Sequence, residues 1–221
     1  MYINGRASRA TWMFDFDTRE WERKSNVIGG FYTDVVGYSG TSAYDPQTGN
    51  ILFWGDYRFA EYNPFSDKWY YLGGKAFQKD GMTGALDPVR RKFVSIGRGD
   101  AYYFDVSQKS LFRREKLITS GATEIENCNA PGFEYDLVSD KLVAWCSGSS
   151  VYTLDLDNNV WEKRAATNNV NPGEHSSAYQ GTFGRFRYIP SKNAFIVVTD
   201  VSKNVFIYKL SPDRKTNTKS R

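Results

Sequence analysis

The chain has 221 residues, a formal net charge of +4, and aromatic side chains at 16% of its positions. That length suits one domain with its own core, and no tract is apolar enough to cross a membrane as a helix. Much of the positive charge (Arg214, Lys215, Lys219, Arg221) lies in residues 213–221, which hold no apolar side chain and read as a disordered basic tail after a folded unit spanning 1–212. Without the tail the body is nearly neutral, which argues against nucleic acid as the main partner.

The first unit starts at Tyr2-Ile3-Asn4-Gly5, which aligns with the end of the second strand of a repeat. The first complete motif is Phe14-Asp15-Phe16-Asp17-Thr18-Arg19-Glu20-Trp21. It reads as a strand, an Asp-containing turn and a strand bearing Trp. Related octets occupy residues 62–69, 104–111 and 154–161, ending in Trp69, Leu111 and Trp161. Their spacing of about 42 to 50 residues is that of propeller blades.

A second motif alternates with the first. Tyr44-Asp45-Pro46, Leu86-Asp87-Pro88 and Tyr135-Asp136-Leu137 each open a polar turn, and Tyr188-Ile189-Pro190 is a divergent fourth copy. Each leads into an apolar run, at 51–54, 93–96, 142–145 and 195–198. Aspartate here bonds backbone amides two residues on, and proline presets the turn. One unit therefore reads as strands a to d: a before the Tyr-Asp-Pro turn, b the apolar run, c before the second turn, d carrying Trp. Continuous hydrophobicity in a and b fits burial on both faces. The expected fold is all-β, a propeller of about four to five four-stranded blades.

The Tyr-Asp-Pro turns, the small residues ending strand b and the Trp after a turn resemble Kelch and galactose-oxidase-like propellers. The closing segments 184–188 and 204–208 look like the last blade of bacterial secreted Kelch-like proteins. The Gly-Gly doublet typical of Kelch strand b is absent; Gly73-Gly74 lies elsewhere in the unit. Strand a is missing from the first unit and strand d from the last. The preferred expectation is the C-terminal part of a longer propeller, with a five-bladed ring with trimmed end blades as the rival. As part of a longer secreted protein the chain would be extracellular or periplasmic, although no signal peptide is visible.

In such a propeller the d–a and b–c loops share one face. The long d–a loops, about 25–40, 118–131 and 167–183, are where function is expected. Candidate ligand-binding residues on that face are Asp56, Arg58, Arg98, Asp100, His175, Tyr179 and Arg185, with Asp200 on a further b–c loop. Any one of them also reads as a solvated rim charge. His175 is the one histidine, so a typical two-imidazole site cannot form, and the copper set of galactose-oxidase relatives is not supplied. No cofactor or metal is expected. Glu124 and Glu126 could pair for glycoside chemistry, or simply be solvated. Cys128 and Cys146 flank a hairpin turn and could bond, or could be two small buried residues.

The expected function is a binding module for a glycan or a protein, as the resemblance implies. The alternative is a portion of a carbohydrate-active enzyme with catalytic groups partly outside this chain.

Overall fold

The computed structural model describes residues 2–4 (backbone), 10–27, 40–55, 58–73, 79–107, 113–168, 170–173 and 181–210. Five sheets follow one another along the chain. The first holds β1 (Tyr2–Asn4), β2 (Thr11–Phe14) and β3 (Trp21–Lys24). The second holds β4 (Thr41–Tyr44), β5 (Ile51–Trp54), β6 (Phe59–Asn63) and β7 (Lys68–Gly73). The third holds β8 (Thr83–Asp87), β9 (Lys92–Gly97), β10 (Asp100–Asp105) and β11 (Glu115–Lys116). The fourth holds β13 (Gly132–Asp136), β14 (Lys141–Trp145), β15 (Ser150–Asp155) and β16 (Val160–Ala165), with β12 (Ser120–Gly121) added parallel to β16. The last holds β17 (Phe186–Ile189), β18 (Ala194–Val197) and β19 (Phe206–Tyr208).

The innermost strands β4, β8, β13 and β17 contact one another in that order. This is a four-blade β-propeller arrangement, preceded by a sheet, β1–β3, with no innermost strand among its described residues. The expected all-β propeller fold class holds; among the described residues the first and last sheets have three strands each. Among the described residues, helix is confined to three short 3-10 turns: Thr123–Asn127, Phe183–Arg185 and Pro190–Lys192. The tail at 213–221 lies outside the described residues.

Three of the buried clusters span two consecutive sheets, because strand side chains alternate between faces. In β5, Leu52 and Trp54 pack toward the third sheet with Leu86, Phe93 and Phe104, while Ile51 and Phe53 pack back on Tyr62 and Trp69. In β9, Phe93 joins that first cluster, while Val94 and Ile96 pack forward on Phe133, Leu142 and Leu154. In β14, Leu142 and Ala144 face backward, and Val143 and Trp145 face Phe186 and Phe195 in the last sheet. Burying one such side chain contributes roughly 1.5–3 kcal/mol.

The repeated Trp shows the same logic. Phe14 pairs with Trp21, Tyr62 with Trp69 and Leu154 with Trp161, in one register. Trp69 is 7% exposed and its ring N–H donates to Thr11 Oγ1 of the preceding sheet at 3.1 Å. Trp161 is 1% exposed and donates to Glu126 Oε1 at 2.8 Å. Trp21 is 47% exposed, because no earlier sheet lies against it among the described residues.

The turn aspartates act as the motif requires. Asp45 accepts from the Gln47 amide, Asp87 from Val89 and Arg90, and Asp136 from Val138, all at 2.8–3.0 Å. The second-turn aspartates Asp15, Asp105 and Asp155 do the same. Two arginines then tie blade to blade. Arg91 grips Asp45 of the preceding blade with both terminal nitrogens, at 2.6 and 2.7 Å. Arg90 donates to Asp87 in its own turn and to Asp140 and Asp157 of the next blade. Asp45 and Asp87 are each 1% exposed.

Cys128 and Cys146 are bonded, with Cα atoms 6.1 Å apart. The bridge ties the segment entering β13 to the end of β14.

Two measurements check these ties. Arg91→Ala leaves the Asp45 carboxylate buried and unpaired, and should lower unfolding free energy in urea by about 3 kcal/mol. Burial raises the Asp45 carboxyl, but Arg91, Thr48 and the Gln47 amide together hold it below its ordinary 3.8; Lys141 holds Asp155 at about 2. Carboxyls depressed by folding stabilise above their unfolded pKa and lose that contribution as pH falls through the folded value. Stability should therefore fall from about pH 4 toward pH 2, less steeply in Asp45→Asn. The double substitution Cys128→Ser with Cys146→Ser should cost about 2–4 kcal/mol in the same assay.

Candidate functional site

The face carrying the d–a and b–c connections is built around one segment, residues 128–130. Arg98 and Gly99 form the two-residue turn between β9 and β10, with φ of 57° and 82°. Their amides donate to the carbonyls of Cys128 (3.0 Å) and Glu126 (2.9 Å). The Ala130 amide donates to Gly81 O at 2.6 Å, and Ala130 O accepts from the amides of Thr182 and Phe183. The entries to β8, β13 and β17 thus meet at residues 128–130. Gly81 and Gly181 permit the approach: both have positive φ, and a side chain at either would collide with Asn129.

The loop 118–131 is more ordered than its sequence suggests. It contains β12 and the 3-10 turn Thr123–Asn127, and the disulfide closes it at Cys128. Glu126 accepts from Trp161 and from the Thr119 hydroxyl (2.6 Å), so it anchors this loop. Glu124 is exposed and lies 3.6 Å from Lys163. The two carboxylates are therefore engaged separately and do not form a working pair.

The candidate ligand residues fare differently. Arg98 is exposed on this face. Asp100 opens β10 next to it and pairs with Lys79 from the preceding d–a connection, which holds its carboxyl low against a raising effect of burial. Arg58 lies over the Tyr71 ring, 5.0 Å from its centroid. Arg185 sits in the 3-10 turn before β17, where its guanidinium donates to the carbonyls of Gly181, Thr182 and Thr199. These bonds tie its guanidinium to backbone carbonyls at the entry to β17 and just beyond the end of β18. Asp200 caps its own turn through Ser202. Asp56, His175 and Tyr179 lie outside the described residues. No cluster of three or more His, Cys, Asp or Glu among the described residues is placed to hold a metal ion.

Arg98, Lys79 and Asp100 thus share one rigid face with the disulfide-closed loop. Sequence alone could not show the bond from Arg98 to Cys128, since 30 residues separate them and no local signal marks it.

No family model and no curated protein matches the sequence. Among solved structures, the chain is similar to a protein of unknown function from Bacteroides thetaiotaomicron, with a TM-score of 0.65 and 12% identity over 94% of this chain and 56% of that one. It is similar to an auxiliary nutrient binding protein from Bacteroides ovatus, with a TM-score of 0.56 and 12% identity over 89% of this chain and 52% of the other. It is also similar to the β-propeller domain of Cps50 (Swd1) from Myceliophteria thermophila, with a TM-score of 0.52 and 10% identity over 90% and 60%. The chain therefore spans little more than half the length of these structures, and what it shares with them is the propeller fold.

Proposed function

We propose that this chain is a binding module of Kelch-like type, presenting the face around Arg98 to a glycan or protein partner. The observation that carries this reading is the anchoring of residues 126–130. One segment, closed by a disulfide, holds the Arg98 turn by two backbone bonds and joins three strand entries. Preorganised polar groups lose little freedom on binding, which is what a recognition surface needs. The likeness to an auxiliary nutrient binding protein from Bacteroides ovatus agrees with it. The disulfide supports an extracellular or periplasmic setting, where such bridges persist. The enzyme alternative has lost the Glu124–Glu126 pair and has no other observation in its favour among the described residues.

The test is a glycan array and a surface-protein capture with the immobilised chain, each repeated with Arg98→Ala plus Lys79→Ala. Both side chains are exposed, so the melting temperature should stay within about 2 °C of the parent. Binding should weaken about tenfold or more. Unchanged affinity would place recognition on another face.

A further inference from the structure

The innermost strands β4, β8, β13 and β17 line a cavity of about 350 Å³, away from the Arg98 face. It extends to the a–b turns, where Pro46, Pro88, Leu137 and Pro190 border it. At the position immediately before each turn-opening motif, the four strands carry Ala43, Ala85, Glu134 and Arg187. Arg187 Nη1 donates to Glu134 Oε1 at 2.5 Å, and its Nε donates to Gly184 O at 3.1 Å. The Glu134 side chain is 23% exposed and that of Arg187 is 60% exposed.

Joining the blades does not require this ion pair. At the same register β4 and β8 carry alanines, and the Gly84 amide donates to Thr41 Oγ1 at 2.7 Å. Between β13 and β17, Gly132 already lies close against the Phe186 ring. Burial raises the Glu134 carboxyl above its ordinary 4.5, and Arg187 only partly opposes this. A carboxyl raised by folding is destabilising where it is ionised, so the charge weakens the fold at neutral pH. Costly charges without a structural task mark binding sites.

The chemistry of the lining narrows the ligand. The pair is neutral overall, so it favours neither an anion nor a cation. It sets a carboxylate acceptor beside guanidinium donors, which suits adjacent hydroxyls that both donate and accept. Tyr44 is 62% exposed, and the hydroxyls of Tyr135 and Tyr188 are taken by Asp140 and Asn193. Tyrosine and proline surface next to polar groups suits the C–H face of a sugar ring. The volume lies at the lower end of ligand sites, about 300–1,000 Å³.

We infer that the axial cavity binds a neutral mono- or disaccharide, held by Glu134 and Arg187 and packed on Tyr44. This site lies apart from the Arg98 face and does not depend on it.

The full chain is titrated by calorimetry with glucose, galactose, mannose, N-acetylglucosamine, maltose, cellobiose and lactose, with acetate and methylammonium as charged probes. At least one sugar should bind and neither ion should. Glu134→Gln should weaken that sugar about tenfold or more without lowering the melting temperature. Tyr44→Ala, at an exposed position, should also weaken it and decides the matter if Glu134→Gln misfolds. Arg98→Ala should leave it unchanged, which separates this site from the loop face. The inference is overturned if no sugar binds at up to about 50 mM, a concentration at which even millimolar affinity would register. It is equally overturned if an ion competes, or if the decisive variant binds like the parent.

Discussion

Two-sided burial of the second strand in the second, third and fourth sheets is the constraint on which this structure rests. Leu52 and Trp54 point one way from β5 while Ile51 and Phe53 point the other. β9 and β14 repeat the division. A strand of this kind cannot sit at a surface, so each sheet needs a neighbour on both sides. The exposure of Trp21 beside the burial of Trp69 and Trp161 shows what happens where the described chain offers no such neighbour.

Hydrophobic burial is non-directional and leaves the spacing of the blades open. The turns supply direction. Asp45, Asp87 and Asp136 first shape their own hairpins through backbone amides, and Asp45 and Asp87 also receive arginines. Arg90 and Arg91 are adjacent in one turn yet reach opposite ways, to the next blade and to the preceding one. One hairpin thereby orients three consecutive blades. Buried charges are tolerable here because each is matched by hydrogen bonds to its partner.

The opposite face is organised by backbone groups and a covalent bridge. Residues 126–130 accept from the Arg98 turn and join the entries to β8, β13 and β17. This leaves Arg98 on a stiff support, whereas Arg185 is absorbed into capping carbonyls. The two faces join the blades by different means: arginine-clamped turns on one, backbone bonds and a disulfide on the other. Between them the channel keeps one ion pair, Glu134 with Arg187, at a register where the other two inner strands carry alanine.

The repeat was legible because its causes are local. Asp two residues before an amide, short continuous apolar runs and a Trp at a fixed offset can each be read from neighbouring positions, so blade order and strand roles were visible in the sequence. The functional candidates were less legible. Arg185 and Arg98 look alike as isolated rim charges, and only the distant carbonyls of Thr199 and Cys128 distinguish a strand-entry cap from an exposed group. Glu134 and Arg187 carry no local signal of their pairing, because they come from strands 53 residues apart. Local chemistry is written along the chain, whereas proximity across the axis arises from the stacking of whole sheets, and it alone decided which charges meet.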